Sequence, residues 1–391
     1  MPGFSSEDNY LNAVTTNGQI YKSFFSKQFN PTTAAAAGEW HTTMRGGGTP
    51  PADAIFNTGT NLTWVPTNLT TTNNTGIYSG GDVGASGMYK YLVAGSFGSA
   101  AATTAPATGW LVDVLGYYRV TSVTTTTAQA TTTAITSVSV NFTADSSTDL
   151  LTHTYYSLLT GTRVQVSNSG GALPTGLSAA TNYYVVRISD TTCKLATSYA
   201  NAVASTPTTI DITANGSGTQ SITSILPRYT NGAGVQAIFF NSNATALGAA
   251  TPNLSLPSYT NSGQTAARAT PTTLPIGKTA ASNSLILYSG TGSGKYNPWV
   301  PLQAGDAGIA EIAQIQNSVS YVSGEYTVAL VYPIAEFNTT TVGVICERDF
   351  KNVMGGPPRI YDGANLNWLI GSGAATPANS TFFGSLTFAW N

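Results

Sequence analysis

The chain has 391 residues, of which 41% are hydrophobic and only 8% charged, with a formal net charge of −2. The apolar share supports packed cores, while charged residues ordinarily supply about a quarter of a globular chain, so Thr, Ser, Asn and Gly must carry this surface. The Lys and Arg residues are scattered, which excludes a phosphate-tracking nucleic-acid binder, and no apolar run approaches the roughly 18 residues of a membrane-crossing helix.

Residues 1–50 read as a short N-terminal arm. Ser5 is a plausible helix cap with Asp8 three residues on, and Tyr10, Leu11 and Val14 share one helical face. "QIYKSFFSKQF" reads as a second amphipathic helix presenting Ile20, Tyr21, Phe24 and Phe25, stopped at Asn30-Pro31. Helices this short must dock on the same chain or on a neighbour. The start "MPGFSSEDNYLNAV" lacks the basic and apolar regions of a secretory signal. "RGGGTPPAD", from Arg45, reads as a flexible joint.

From residue 51 the pattern is β. "YKYLVAGSFG" and "TGWLVDVLGYYRV" are strand-like, and the second has apolar neighbours on both faces, as a buried central strand does. A threonine-rich stretch, "TTTTAQATTT", follows. Then come "TRVQVSNS", a turn with Pro174 and Gly176, "NYYVVRIS", a hairpin turn at residues 190–192 and "DTTCKLATS". Five or six short strands in about a hundred residues suggest a small β-sandwich complete in itself. After Ser224 the earlier style returns, with "AGVQAIFF", "TPNLSLPSYTNSGQ", "NSLILYSG", a hairpin through Ser323-Gly324 and a final "STFFGSLTFAWN". The expected fold is therefore all-β. A jelly-roll-like sandwich core (51–122 and 225–391) carries an inserted Ig-like sandwich (123–224) on Thr-rich linkers, a tolerated way to add a module.

Residues 172–198, "ALPTGLSAATNYYVVRISDTTCKLATS", resemble a small β module that recurs in virion proteins of tailed bacteriophages. The remainder is similar to capsid-associated phage proteins, through "GWLVDVLGYY", "LPRYTNGAGVQA", "WVPLQAGDAGI", "TTVGVICERDF", "PPRIYDGANLNWLI" and "FFGSLTFAW". The resemblance implies a structural virion protein, made in the host bacterial cytoplasm and displayed on the capsid, that cements or decorates the shell. The major capsid protein would be its partner, and a cyclic dimer or trimer its state. A tail or spike protein is the alternative, with a host-surface glycan bound through the inserted domain; a depolymerase comes third.

Catalytic patterns are weak. His41 and His153 fall in different modules, outside any metal spacing. "SGTGSGKY" at 289–296 departs from the phosphate-loop pattern and reads as a hairpin loop. Asp306, Glu311, Glu325, Glu347, Asp349 and Asp362 could serve glycoside hydrolysis, but nothing in the sequence pairs them. Cys193 and Cys346 make neither a disulfide framework nor a metal pair. No enzyme activity, metal or cofactor is expected. Trp40, Trp64, Trp299 and Trp368 lie in or beside turns and suit either an interface or a core lid. The candidate interface residues are Phe24, Phe25, Trp40, Arg45 and the cluster Glu347, Arg348 and Asp349.

Overall fold

The computed structural model describes residues 4–28, 36–53, 56, 59–68, 76–100, 107–121, 127–133, 138–242, 247–248, 252–276, 286–288, 297–352 and 356–391. The chain is all-β, as its sequence predicts, with a short helix α1 (Glu7–Leu11) near the N-terminus. Ser6 rather than Ser5 caps that helix, accepting from the Asn9 amide at 3.0 Å. A single π-helical turn, Asn12–Thr16, continues it.

The second expected helix is a strand. β1 (Ile20–Gln28) pairs along its whole length with the C-terminal strand β22 (Thr381–Trp390), from Ile20 opposite Ala389 to Gln28 opposite Thr381. Residues 20–28 are thus part of the core and not of an arm. Ser23, Phe25 and Lys27 point inward, and Lys22, Phe24 and Ser26 outward, the two-residue period of a sheet. Two of the three inward residues are polar, which hides the period in the sequence. The buried Lys27 ammonium is held by the carbonyls of Gly46, Pro50 and Pro51 at 2.8–3.1 Å. The expected flexible joint is therefore a fixed cradle. Gly46 is required there, because a Cβ would lie 1.9 Å from the Gln28 carbonyl oxygen.

Three sheets stack to form the core. The outer sheet runs β19 (Cys346–Asp349), β5 (Lys90–Ser99), β22, β1 and β3 (Gly48–Thr49), with β20 (Arg359–Ile360) also on β5. The central sheet runs β14 (Gln236–Asn241), β18 (Tyr326–Thr339), β6 (Ala107–Val120), β21 (Leu366–Ser372) and β2 (Trp40–Thr42), with β4 (Trp64–Pro66) also on β6. The back sheet is β16 (Leu274–Pro275), β15 (Asn253–Asn261), β17 (Ile309–Asn317) and β7 (Gln129–Ala130). β17 and β18 belong to different sheets, so the expected hairpin through Ser323-Gly324 is a crossing between layers instead.

Alternation explains the stack. In β21, Trp368 and Ile370 face the outer sheet, packing with Phe25, Phe97, Phe382 and Leu386. Leu369 faces the other way, into a core shared with Leu254, Ile312 and Ile315 of the back sheet. β6 divides likewise, Leu111 to one core and Val112 to the other. The central sheet is covered on both faces, so it reads as a nearly continuous apolar run. Burying each large apolar side chain in this way contributes about 1.5–3 kcal/mol.

Residues 138–224 form a closed barrel in the order β10 (Arg163–Ser169), β11 (Tyr183–Arg187), β12 (Thr192–Ala196), β9 (Leu150–His153), β8 (Val138–Asp145) and β13 (Thr219–Ser224). The strands expected as a two-sheet sandwich thus curl until first and last meet, which leaves no free edge. Val164, Val166, Val185, Cys193, Leu195 and Ile222 fill the interior. The turn at Pro174 takes the shape its residues demand: Leu177 N–H donates to the Pro174 carbonyl at 3.0 Å and Gly176 has φ +105°. Helix α2 (Tyr199–Val203) packs on the barrel wall against Val186 and Ala196 through Ala202.

The flanks of the barrel are not loose tethers. Gln129 and Ala130 pair with β17, and Thr131 donates to the Ile312 carbonyl at 2.6 Å. Downstream, Ile212 is in the barrel core and Thr219–Ser224 is β13. Ile225 and Leu226 then enter the main core at once. Next, the fully buried Arg228 forms a two-point pair with Asp113 of β6, at 2.7 and 2.8 Å. Asp113 also accepts from the Asn365 amide, and Arg228 donates to the Thr67 and Val114 carbonyls. With this hydrogen bonding, two charges can be held in a site that water does not reach.

Candidate functional site

Two surfaces stand out, the outward face of the outer sheet and the seam where the barrel meets the core. On the outer sheet, register lines residues up across four strands. Phe24 lies opposite Ser385, Ser385 opposite Ser96, and Ser96 opposite Glu347. The adjacent outward row runs Lys22, Thr387, Ala94, Asp349. Small side chains therefore floor a trough of about 200 Å³, with Lys22 on one wall and Glu347 and Asp349 on the other. Phe24 is 67% exposed and rises beside it, with the Lys22 ammonium 5.3 Å from its ring centroid. The Ser96 and Ser385 hydroxyls bond at 3.0 Å and stiffen the floor.

The candidate interface residues separate on this scaffold. Glu347 and Asp349 line the trough, and Phe24 stands beside it, opposite Ser385. Arg348 also lines it, but its guanidinium donates to the Glu336 carbonyl at 2.5 Å and covers the Phe350 ring. Phe25 points inward, 5.1 Å from Trp368, and cannot dock on a neighbour. Trp40 is buried in the central sheet, and the half-buried Arg45 donates to the Asp53 carbonyl at 2.8 Å. Of the other tryptophans, Trp368 is wholly buried, Trp64 donates to the Ile225 carbonyl at 3.1 Å, and Trp299 is half-buried, edge-on to Trp110.

Four of the six carboxylates considered for hydrolysis are engaged elsewhere, while Glu347 and Asp349 line the trough. Asp306 accepts from Tyr259, Asn261 and Arg268. Glu311 pairs with Arg163, and Glu325 with Arg119 at 2.5 Å. Asp362 accepts from the Val83 and Gly84 amides, and burial raises its pKa. Burial pushes the His41 imidazole down to about 3 and the Cys193 thiol up to about 12. His41 is thus a neutral core residue at physiological pH, and Cys193 an unreactive thiol. Among the described residues no group of His, Cys, Asp and Glu could hold a metal ion. The glycine-rich stretch 289–296 lies outside the described residues.

The seam was not visible in the sequence, because its residues are far apart along the chain. Asp190 of the barrel accepts from Arg187 and from Arg359 of β20, the latter at 3.3 Å. The Arg359 guanidinium lies over the rings of Tyr89 and Tyr361, at 4.4 and 4.5 Å. Arg163 and Glu311 join the barrel to the back sheet, and the Thr162 and Thr230 hydroxyls bond at 2.6 Å. No family model matches this chain, and no curated protein matches it.

Proposed function

We propose that this chain is a non-enzymatic structural protein of a tailed-phage virion that decorates or cements the capsid, seated through the outward face of its outer sheet. The observation that carries the reading is Phe24: two-thirds exposed, yet fixed in the middle of a strand paired over nine residues. A rigid aromatic beside a small-residue trough has the character of an interface anchor, since little side-chain entropy is lost when it is covered. The low charge of the whole surface suits close packing against a repeated lattice, and the resemblance of residues 172–198 to a virion module supports the same setting. Binding an assembled lattice better than free subunits stabilises the closed shell by mass action. Closed dimers or trimers on the shell are part of the proposal. The barrel, held at the seam, would project away from the attachment face.

The test is a Phe24→Asp variant together with antibody labelling of intact particles. The variant is expected to fold normally, to bind particles about tenfold or more weakly, and the label to decorate heads. Unchanged binding would reject the attachment face, and label confined to tails would reject the capsid role.

A further inference from the structure

We infer that the seam between barrel and core holds a binding site for a carboxylate-bearing sugar residue. The site is a cavity of about 310 Å³, lined by Tyr229, Tyr332, Tyr361 and Arg359, with Pro333 and Leu159 among its walls. That volume lies at the low end of small-molecule sites, roughly 300–1,000 Å³, and suits one ring rather than an extended chain.

Three observations define the ligand. The first is an orphaned polar group. Tyr229 is 6% exposed, and its hydroxyl is buried with no hydrogen-bond partner among the described residues. Leaving such a group unpaired is costly, and nearly all buried hydroxyls find a partner. Tyr229 lines the cavity, and a ligand oxygen seated there is the partner assigned to it. The second is a stacked platform. Tyr229 and Tyr332 lie face to face, 3.6 Å between centroids and 7° between planes, with Tyr361 edge-on to Tyr229. Tyr332 is the half-buried outer member of that stack, a flat apolar surface for the C–H face of a pyranose ring.

The third is charge. Two guanidiniums, Arg187 and Arg359, share the single carboxylate of Asp190 at the seam. Arg359 uses only one terminal nitrogen, on Asp190 and the Tyr155 hydroxyl, both at 3.3 Å. Its remaining N–H groups have no partner among the described residues, and one cation is left over. A ligand carboxylate balances it through a charge-assisted hydrogen bond. A neutral sugar would satisfy the hydroxyl and the ring but not the guanidinium. A bare carboxylate would satisfy only the guanidinium.

The inference goes beyond capsid attachment, since the cavity shares no residue with the trough on the outer sheet. It is tested on the full chain by titration calorimetry and ligand-observed NMR with glucuronate, glucose and acetate. Glucuronate is expected to bind saturably with Kd of about 1 mM, and glucose and acetate at least about tenfold more weakly. Tyr229→Phe, which removes only the orphaned hydroxyl, is expected to keep or raise the melting temperature and to weaken glucuronate several-fold. Tyr332→Ala is expected to abolish the ring-proton signals. Equal binding of glucuronate to the wild type and Tyr229→Phe, or no saturable binding to the wild type, would overturn the inference. Equal affinity for acetate would overturn it too, by reducing the site to a simple anion contact.

Discussion

The barrel and the outer sheet are made of similar strands, yet they dispose of their edges in opposite ways. The barrel closes, β13 pairing with both β8 and β10, so every strand has two neighbours. The outer sheet stays open and ends in β19, four residues long and carrying Glu347, Arg348 and Asp349. A short charged strand at an open edge discourages pairing with stray strands. It also leaves the face beside it accessible, with Phe24 exposed. Closure makes a self-contained unit, whereas an open, guarded sheet makes a surface that can receive a partner. The barrel runs into the core through Arg228, four residues after β13 ends, which is buried against Asp113 of the central sheet.

The largest expected effect breaks that junction. Asp113→Ala leaves Arg228 buried without its counter-charge, which should cost about 3–5 kcal/mol. Chemical denaturation should show one cooperative transition at a much lower midpoint. Two separated transitions, with the barrel unaffected, would mean that the regions are independent.

Acid should separate the regions next. In the unfolded chain His41 titrates near 6.5, and burial holds it at about 3 in the fold. Between those values the unfolded state takes up a proton that the folded state refuses. Stability present above pH 6.5 is therefore lost as pH falls toward 3, by about 3.5 kcal/mol at pH 4 at about 1.4 kcal/mol per unit. His153 of the barrel is also lowered by burial, but its Nδ1 contact with the Thr154 carbonyl at 2.7 Å opposes the shift. Denaturation at pH 7, 5 and 4 should show a flattened acid dependence in His41→Gln and a smaller change in His153→Gln. The reverse ranking would contradict the comparison.

A gentler cut tests whether the core needs the barrel. Val138 lies directly opposite Ser224, so the ends of the segment between them are neighbours. Replacing residues 139–223 with a short Gly/Ser linker should leave a soluble, cooperatively folding core. The part-exposed seam pairs are worth only about 0–1 kcal/mol each, so a modest fall in the unfolding midpoint is expected. Aggregation or a broad, non-cooperative melt would show that the barrel is structurally required.

The smallest expected effect is that of salt on particle attachment. Screening shortens several-fold between about 0.05 and 1 M NaCl. A face built on Phe24 and small residues should hold its bound fraction across that range in a sedimentation assay. Release by about 0.5 M would transfer the contact to Lys22, Glu347 and Asp349.

What the sequence determined by itself was local. The apolar run of β6 announced a strand covered on both sides, and Pro174 and Gly176 specified their turn through φ alone. The hairpin between β11 and β12 followed from a polar break between two β-rich runs. Of the candidate interface, Phe24, Glu347 and Asp349 were named from the sequence, but not that register brings them to one face. Tertiary structure decided the rest. β1 looked helical because Phe24 and Phe25 are adjacent and its inward neighbours Ser23 and Lys27 are polar. Carbonyls from residues 46–51 and the charge of Asp53 make a buried Lys27 tolerable. Barrel closure depends on β13 meeting β8, about eighty residues apart. The seam joins Asp190, Tyr229 and Arg359 by contacts that no local period encodes. Strand and turn propensities act over a few residues, whereas register, closure and the partner of a buried charge depend on which distant segments meet.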